Sequence, residues 1–235
     1  MRIVKHGNRA ASSRCGSADL LEALGVNIEA SPALVARSIE EAGFGFCFAP
    51  LFHPAMKVVA PIRKELKIRT LFNLVGPLAN PAPLTYQLVG VSDAGLLRPM
   101  AEALQRLGIR HGLVVHGRDG LDEVTTTTET EAIELRDGRL APLTLSPKAL
   151  GVPRSTLEML RGGDAAQNSR LALEILGGSP SAMGDLVAVN AGCALYIAGK
   201  AHTPLQGVAQ ANETLASGAA LRTLERVTEI SRHAR

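Results

Sequence analysis

Three stretches of this chain collect side chains that could handle a small anionic molecule. The first is Lys5 to Asp19, KHGNRAASSRCGSAD, where a strand end passes through Gly, Asn and Ser into a helix amino terminus. A junction of that kind gathers backbone N–H groups, two cations and several hydroxyls around a point suited to phosphate. A solvated turn with Ser17 as a helix cap explains the same residues equally well. The second stretch is the adjacent pair Asp122 and Glu123 in VVHGRDGLDEV. Hard carboxylate oxygens can hold Mg²⁺ and leave positions for water and substrate phosphate. Loop carboxylates are more often simply solvated, but the place of this pair after a strand, where open α/β sheets bind ligands, makes the two readings even. The third is Arg63 in MKVVAPIRKELKIRTLFNLVGPLANP, whose planar fork could clamp a carboxylate. Lys57, Lys64, Lys67 and Arg69 lie close by, so residue chemistry alone leaves Arg63 one cation among several. His53 and His116 are of the type that does acid–base work, although lone histidines beside strands are more often structural.

These residues need elements to hold them. Ile3 and Val4 read as a strand end, Ser17 to Leu24 as a short helix with Asp19 near its positive end, and Ser31-Pro32 as the start of a second helix that Gly43 ends. Phe44 to Phe48 is a buried connector or strand. His53-Pro54 leads into a helix carrying Met56, Val58, Val59 and Ile62, and Gly76-Pro77 and Asn80-Pro81 mark a loop. Tyr86 to Val91, a helix through Leu97, Met100 and Leu104, and Leu113 to Val115 give a strand, helix, strand order that favours parallel pairing. Asp137-Gly138 signals a hairpin. Thr125 to Thr130 reads as a polar loop or edge strand, and Gly162-Gly163-Asp164 as the cap of a helix beginning near Ala165. Leu186 to Ala198 is apolar nearly all round, as for a central buried helix, and Asn190 within it needs a hydrogen-bond partner.

Composition narrows the classes. With 235 residues, 46% of them hydrophobic, the chain can bury a sizeable core as one α/β domain. Its net charge of +3 suits an anionic small molecule without requiring nucleic acid, and 3% aromatic residues supply few platforms for stacking bases. Cys15, Cys47 and Cys193 are widely separated and odd in number, which suggests neither disulfides nor a zinc site and points to a reducing cytoplasm. No stretch approaches the roughly 20 apolar residues that span a bilayer.

Taken together, KHGNRAASS with GSAD, HPAMK with APIRKEL and GPLANP, HGRDGLDE, GGDAAQN and NAGCALYIAGKA resemble the anthranilate phosphoribosyltransferase family from Lys5 to the carboxyl end. The resemblance implies a nucleoside phosphorylase/phosphoribosyltransferase-like α/β domain over residues 1–235, with a central mixed, mostly parallel sheet flanked by helices. It implies transfer of the phosphoribosyl group from phosphoribosyl pyrophosphate to anthranilate, in tryptophan biosynthesis. Lys5, His6, Gly7, Asn8, Arg9, Ala10, Ala11, Ser12, Ser13 and Ser17 would line the phosphoribosyl pyrophosphate site, Asn8 and Arg63 would meet anthranilate, and Asp122 and Glu123 would hold Mg²⁺. No residue need act as a covalent nucleophile. Family members carry, upstream of KHGN, helices and a Gly-Thr-Gly-Gly-Asp turn that this sequence lacks. A fragment, a misassigned start or a deliberate shortening is therefore expected, with the family's homodimer altered and activity impaired. A pyrimidine nucleoside phosphorylase and a nucleic-acid-binding relative of the same fold are the competing readings. The GLDE pair and APIRKEL oppose the first of these, and retention of Arg63 with Asp122-Glu123 opposes the second.

Overall fold

The computed structural model describes residues 1–10, 13–55 and 75–232, which contain six strands and eight α-helices. The first part of the chain contributes β1 (Ile3–Gly7), α1 (Ser17–Ala23), α2 (Pro32–Ala42), β2 (Phe44–Phe48) and α3 (Ala49–Phe52). There follow β3 (Tyr86–Gly90), α4 (Leu97–Arg106), β4 (His111–Gly117), β5 (Thr130–Arg136) and β6 (Arg139–Leu145). The last third is helical, with α5 (Ala165–Leu176), α6 (Ala182–Ile197), α7 (Pro204–Ala216) and α8 (Ala219–Arg232). These residues form two units. An amino-terminal one comprises Arg2–Pro83, Gly162–Leu173 and Leu221–Arg235, and a larger one comprises Leu84–Arg161 and Glu174–Ala220 together with Met1. The expected helix around Met56, Val58, Val59 and Ile62 lies outside the described residues.

In the amino-terminal unit β1 and β2 pair in parallel, from Ile3 opposite Phe44 to Gly7 opposite Phe48. Parallel neighbours need a crossover, which α1 and α2 supply. Ser31 accepts a hydrogen bond from the Leu34 amide at 3.3 Å, Pro32 takes the first helical turn, and Gly43 closes α2 at φ 81°. The alternation of β2 then sorts its side chains between two small cores. Phe46 and Phe48 pack with Ala18 and Ile28, whereas Cys47 packs with Ala30 and Val35. Phe44 to Phe48 is thus a strand rather than a connector. The helix α8 is tied to this unit, since Ser231 accepts from the Asn27 amide at 3.0 Å and Arg232 donates to the Gly25 carbonyl at 2.8 Å.

The larger unit has the sheet order β3-β4-β5-β6. β3 and β4 are parallel, with α4 as the crossover, while β4-β5 and β5-β6 are antiparallel. The sheet is mixed, as expected from the sequence. Across both sheets the described pairs are half parallel and half antiparallel, so the balance is not mostly parallel. The cause is local: no helix links β4 to β5, and Asp137 and Gly138, at φ 47° and 77°, make a tight turn that folds β6 straight back. One face of the sheet packs on α6 and α7, joining Leu113, Val115, Ala132 and Leu145 to Ala188, Val189, Cys193, Val208 and Ala211. α6 is not buried all round, because Val187 remains 40% exposed. Among the described residues no helix is long and apolar enough to cross a membrane.

Two glycines let α6 and α7 approach each other closely. A Cβ on Gly207 would overlap the Gly192 carbonyl, and one on Gly192 would overlap the Val208 backbone. Gly207→Val is therefore expected to destabilise the protein by about 1–3 kcal/mol through overpacking, read as a lower urea midpoint at an unchanged m-value.

Candidate functional site

Within the amino-terminal unit, β1 delivers Lys5, His6 and Gly7 to the turn that begins at Asn8. The sequence expects Ser17 to cap α1, but Gly16 takes the cap position and Ser17 is the first helical residue. The reason lies in Asp19, whose carboxylate accepts from the amides of Gly16 at 2.9 Å and Ala10 at 2.8 Å and so closes the loop from both ends. The Ser17 hydroxyl, released from capping, lies against Gly7 where a Cβ would collide with it. The Ala18 amide donates to the Asn8 carbonyl at 3.2 Å, and the Asn8 side chain accepts from the Arg9 amide at 2.8 Å. Arg9 itself forms a two-pronged pair with Glu22, at 2.7 and 2.9 Å, and a third bond to Asp19 at 3.1 Å. Its guanidinium is a strut of the turn. The two backbone amides, followed by Arg9, hold Asp19 below the usual carboxylate range. Ser13 donates to the Cys15 carbonyl at 3.2 Å. Ala11, Ser12 and Arg63 lie outside the described residues.

His6 and His53 meet edge to face with ring centroids 5.0 Å apart. The Nδ1 of His6 donates to the Gly76 carbonyl at 3.2 Å, and both buried Nε2 atoms lack a hydrogen-bond partner among the described residues. Burial lowers the His6 pKa, partly countered by the Gly76 bond, so this imidazole is neutral at pH 7.

In the larger unit β4 ends at Gly117 and hands the chain to the acidic loop. Asp119 organises it, accepting from the Leu121 amide at 3.0 Å, from the Thr125 hydroxyl at 2.6 Å and from the Thr127 hydroxyl. The Thr125 amide donates to the Thr130 hydroxyl at 2.9 Å, and the Thr126 and Ser155 hydroxyls share a bond of 2.6 Å. The threonine tract is a polar loop up to β5, one of the two forms expected of it, but it is a largely buried loop and not an edge strand. Thr125, Thr126 and Thr130 are buried with their hydroxyls satisfied inside, and Thr130 opens β5, which has a partner on each side. Asp122 and Glu123 stand exposed at the crest, immediately before the fully buried Val124. Asn190 of α6 holds Val124 by both backbone groups, accepting from its amide and donating to its carbonyl at 2.9 Å each. Among the described residues no group of three or more His, Cys, Asp or Glu side chains could hold a metal.

The structure thus gathers Lys5 to Ala10, Ser13 and Ser17 in one unit, and Asp122 with Glu123 in the other. Sequence reasoning does not find Asp119 or Thr125, although their bonds lie within one loop: Asp119 accepts from the amide two positions on, an Asx-type pattern that the sequence could have signalled. His116 is structural, its Nδ1 donating to the Val91 carbonyl at 2.8 Å.

The strand-to-helix turn of one unit and the acidic loop of the other are each built from α/β packing. The family model described as "Glycosyl transferase family, a/b domain" matches residues 1–221. Anthranilate phosphoribosyltransferase of Rubrobacter xylanophilus is 54% identical over 231 residues, covering 98% of this chain and 68% of that protein. The crystal structure of the Thermus thermophilus anthranilate phosphoribosyltransferase superposes with a TM-score of 0.92 at 51% identity, covering 98% of this chain and 68% of that one. The Saccharomyces cerevisiae enzyme in complex with PRPP and Mg gives 0.90 at 28% identity, covering 98% and 65%. This chain belongs to the anthranilate phosphoribosyltransferase family and spans about two thirds of the length of these relatives.

The acidic loop has a pH signature. Burial pushes the Asp119 carboxyl up, but the hydroxyls of Thr125 and Thr127 and the Leu121 amide outweigh it, leaving the pKa lowered. A folded pKa below the unfolded one means stability that is present above the unfolded value, about 3.9, and lost as the pH falls through the folded value. Asp119→Ala should cost about 1–3 kcal/mol at pH 7 by leaving the threonine hydroxyls and the Leu121 amide without an acceptor. In urea melts it should also flatten the loss of stability on acidification below about pH 4.

Proposed function

We propose that this chain serves the transfer of the phosphoribosyl group from phosphoribosyl pyrophosphate to anthranilate, a step of tryptophan biosynthesis, in the cytoplasm. The observation that carries this is how the two loops that bear the family's motifs are held. Asp19 and Arg9 hold the turn after β1 closed, and Asp119 and Asn190 hold the acidic loop. Family membership supplies the substrates. Lys5, the turn from His6 to Ser13 and the Ser17 hydroxyl would take the phosphoribosyl pyrophosphate, while Asn8 and Arg63 would meet anthranilate. Asp122 and Glu123 fit Mg²⁺ as a donor set: two hard, exposed carboxylates that leave most of an octahedral shell to water and phosphate oxygens. When bound there, Mg²⁺ neutralises charge on the pyrophosphate as it departs.

The reaction forms a bond from the anthranilate nitrogen to the anomeric carbon and breaks the bond from that carbon to pyrophosphate. The aromatic amine enters uncharged and sheds its proton after attack, so a strong base is not required. What the residues supply is orientation and fixed charge. Lys5 would place positive potential around phosphate, and the Ser17 hydroxyl would offer it a hydrogen bond. The neutral His6 adds no charge of its own, and Arg9, being committed to Glu22 and Asp19, keeps the turn in shape.

Calorimetric titration with phosphoribosyl pyrophosphate at varied Mg²⁺ tests the donor set. Asp122→Asn should lose most of the Mg²⁺ dependence with the fold intact, and unchanged dependence would remove the assignment. Arg63→Ala should raise the anthranilate KM roughly tenfold or more, since a charge-assisted pair is worth about 1.5–3 kcal/mol. An unaltered KM would assign the carboxylate to another cation. Turnover of uridine or thymidine in place of anthranilate would favour the nucleoside phosphorylase reading.

A further inference from the structure

We infer that Asn190 is a positioning residue for the metal-binding pair, acting through the backbone of Val124 rather than through any contact with substrate. The inference rests on the reading of Asp122 and Glu123 as the Mg²⁺ carboxylates. It starts from a polar residue in the middle of α6: a half-buried carboxamide in a helix whose Ala188, Val189, Gly192 and Cys193 are buried. Such a group is costly unless its hydrogen bonds are made. All the partners lie on two backbone segments. Oδ1 accepts from the Val124 amide, and Nδ2 donates to the carbonyls of Val124 and Leu186, each at 2.9 Å. A side chain that satisfies both backbone groups of one residue fixes the position and the tilt of that peptide together. Val124 lies one residue beyond Glu123 and two beyond Asp122.

Two further contacts press on the same segment from different directions. The Val124 side chain is fully buried in the core with Ala188, Val189 and Cys193, so it resists withdrawal. Gly90, at the end of β3, lies so near the Asp122 carbonyl that a Cβ there would overlap it. The Asp122 to Val124 backbone is therefore held between a strand end and a helix, with Asp122 and Glu123 exposed to solvent. Metal coordination requires ligand placement to about 0.5 Å, and supporting groups around metal ligands are typically worth about 10–100-fold in affinity. A purely structural asparagine could satisfy itself on any loop carbonyl. This one directs two of its three bonds to the residue that adjoins the carboxylates.

The test uses Mn²⁺ as a paramagnetic substitute for Mg²⁺, with inorganic pyrophosphate present, and reads free Mn²⁺ by electron paramagnetic resonance. Asn190→Ala should raise the Mn²⁺ Kd about tenfold or more. Hydrogen exchange should rise in residues 119–127 while α7 stays protected. Leu104→Ala, which opens a cavity under α4 in the same unit and lies outside the core cluster of Val124 and α6, should leave the Mn²⁺ Kd unchanged. Wild-type Mn²⁺ affinity in Asn190→Ala would overturn the positioning role, as would an equal loss of affinity in Leu104→Ala. Asp122→Asn separates the two levels: if it binds Mn²⁺ as the parent does, the metal assignment itself fails and the inference falls with it. Should Asn190→Ala not fold, hydrogen exchange of the unsubstituted chain still decides. A Val124 amide protected before metal is added supports the clasp, and one exchanging at the rate of an open loop overturns it.

Discussion

One carboxamide links the packing of the larger unit to its acidic loop. Asn190 lies on α6, which packs against the sheet, and it bonds both backbone groups of Val124. Neither side has an easy alternative. Val124 is fully buried, so its amide and carbonyl would each lose a partner away from water, a cost of about 1–3 kcal/mol per group. The bonds thus make loop conformation and helix position mutually dependent. The apolar contacts of α6 with Leu113 and Val115 on β4 hold the loop's anchor at a set distance from the strand that launches it. Two exposed carboxylates, which contribute nothing to the core, acquire a defined position in this way.

The amino-terminal unit solves a related problem with charge. The segment between Ala10 and Gly16 is small and polar, with no apolar side chain large enough to anchor it in a core. Asp19 takes the place of the clasp, reaching back from the first turn of α1 to two amides, while Arg9 reaches forward to Glu22. These pairs are exposed at least in part, and isolated exposed ion pairs contribute little to stability. Their effect here is on shape. The guanidinium and the helix-start carboxylate are engaged with each other, which fixes the path of the described part of the turn.

Much of this is legible in the sequence where a local rule operates alone. Ser31-Pro32 and Gly43 bound α2, Asp137-Gly138 turns the hairpin, and Asp164 caps α5 by accepting from the Gln167 amide at 2.8 Å. Asn190 can be flagged as needing a partner, but the partner is 66 positions away, and no local rule identifies it. Ser17 illustrates a competition between rules. It is a good cap residue next to a glycine, and the cap passes to Gly16 because Asp19 satisfies the amides at the helix start. The threonine tract is legible as a polar loop, but not the inward turn of its hydroxyls. They bond to Asp119, to one another and to Ser155, and only the last of these partners is distant in sequence. The motifs for phosphate and metal are readable as family likeness, whereas residue chemistry alone leaves each even with an ordinary turn or solvated loop.

Fixing loops in advance matters for this chemistry because little of the catalysis is covalent. An amine attacks one carbon and pyrophosphate leaves it, and the protein's contribution is to hold both in line and to neutralise charge as it appears. Groups that must first be ordered draw on binding energy for that ordering, and the energy is lost to the transition state. The bonds that hold the described parts of the two loops lie inside each unit. The buried threonine hydroxyls and the Asn190 carboxamide are therefore linked to function by the same argument that links them to stability. Their hydrogen bonds act where they leave Asp122 and Glu123 exposed and in place.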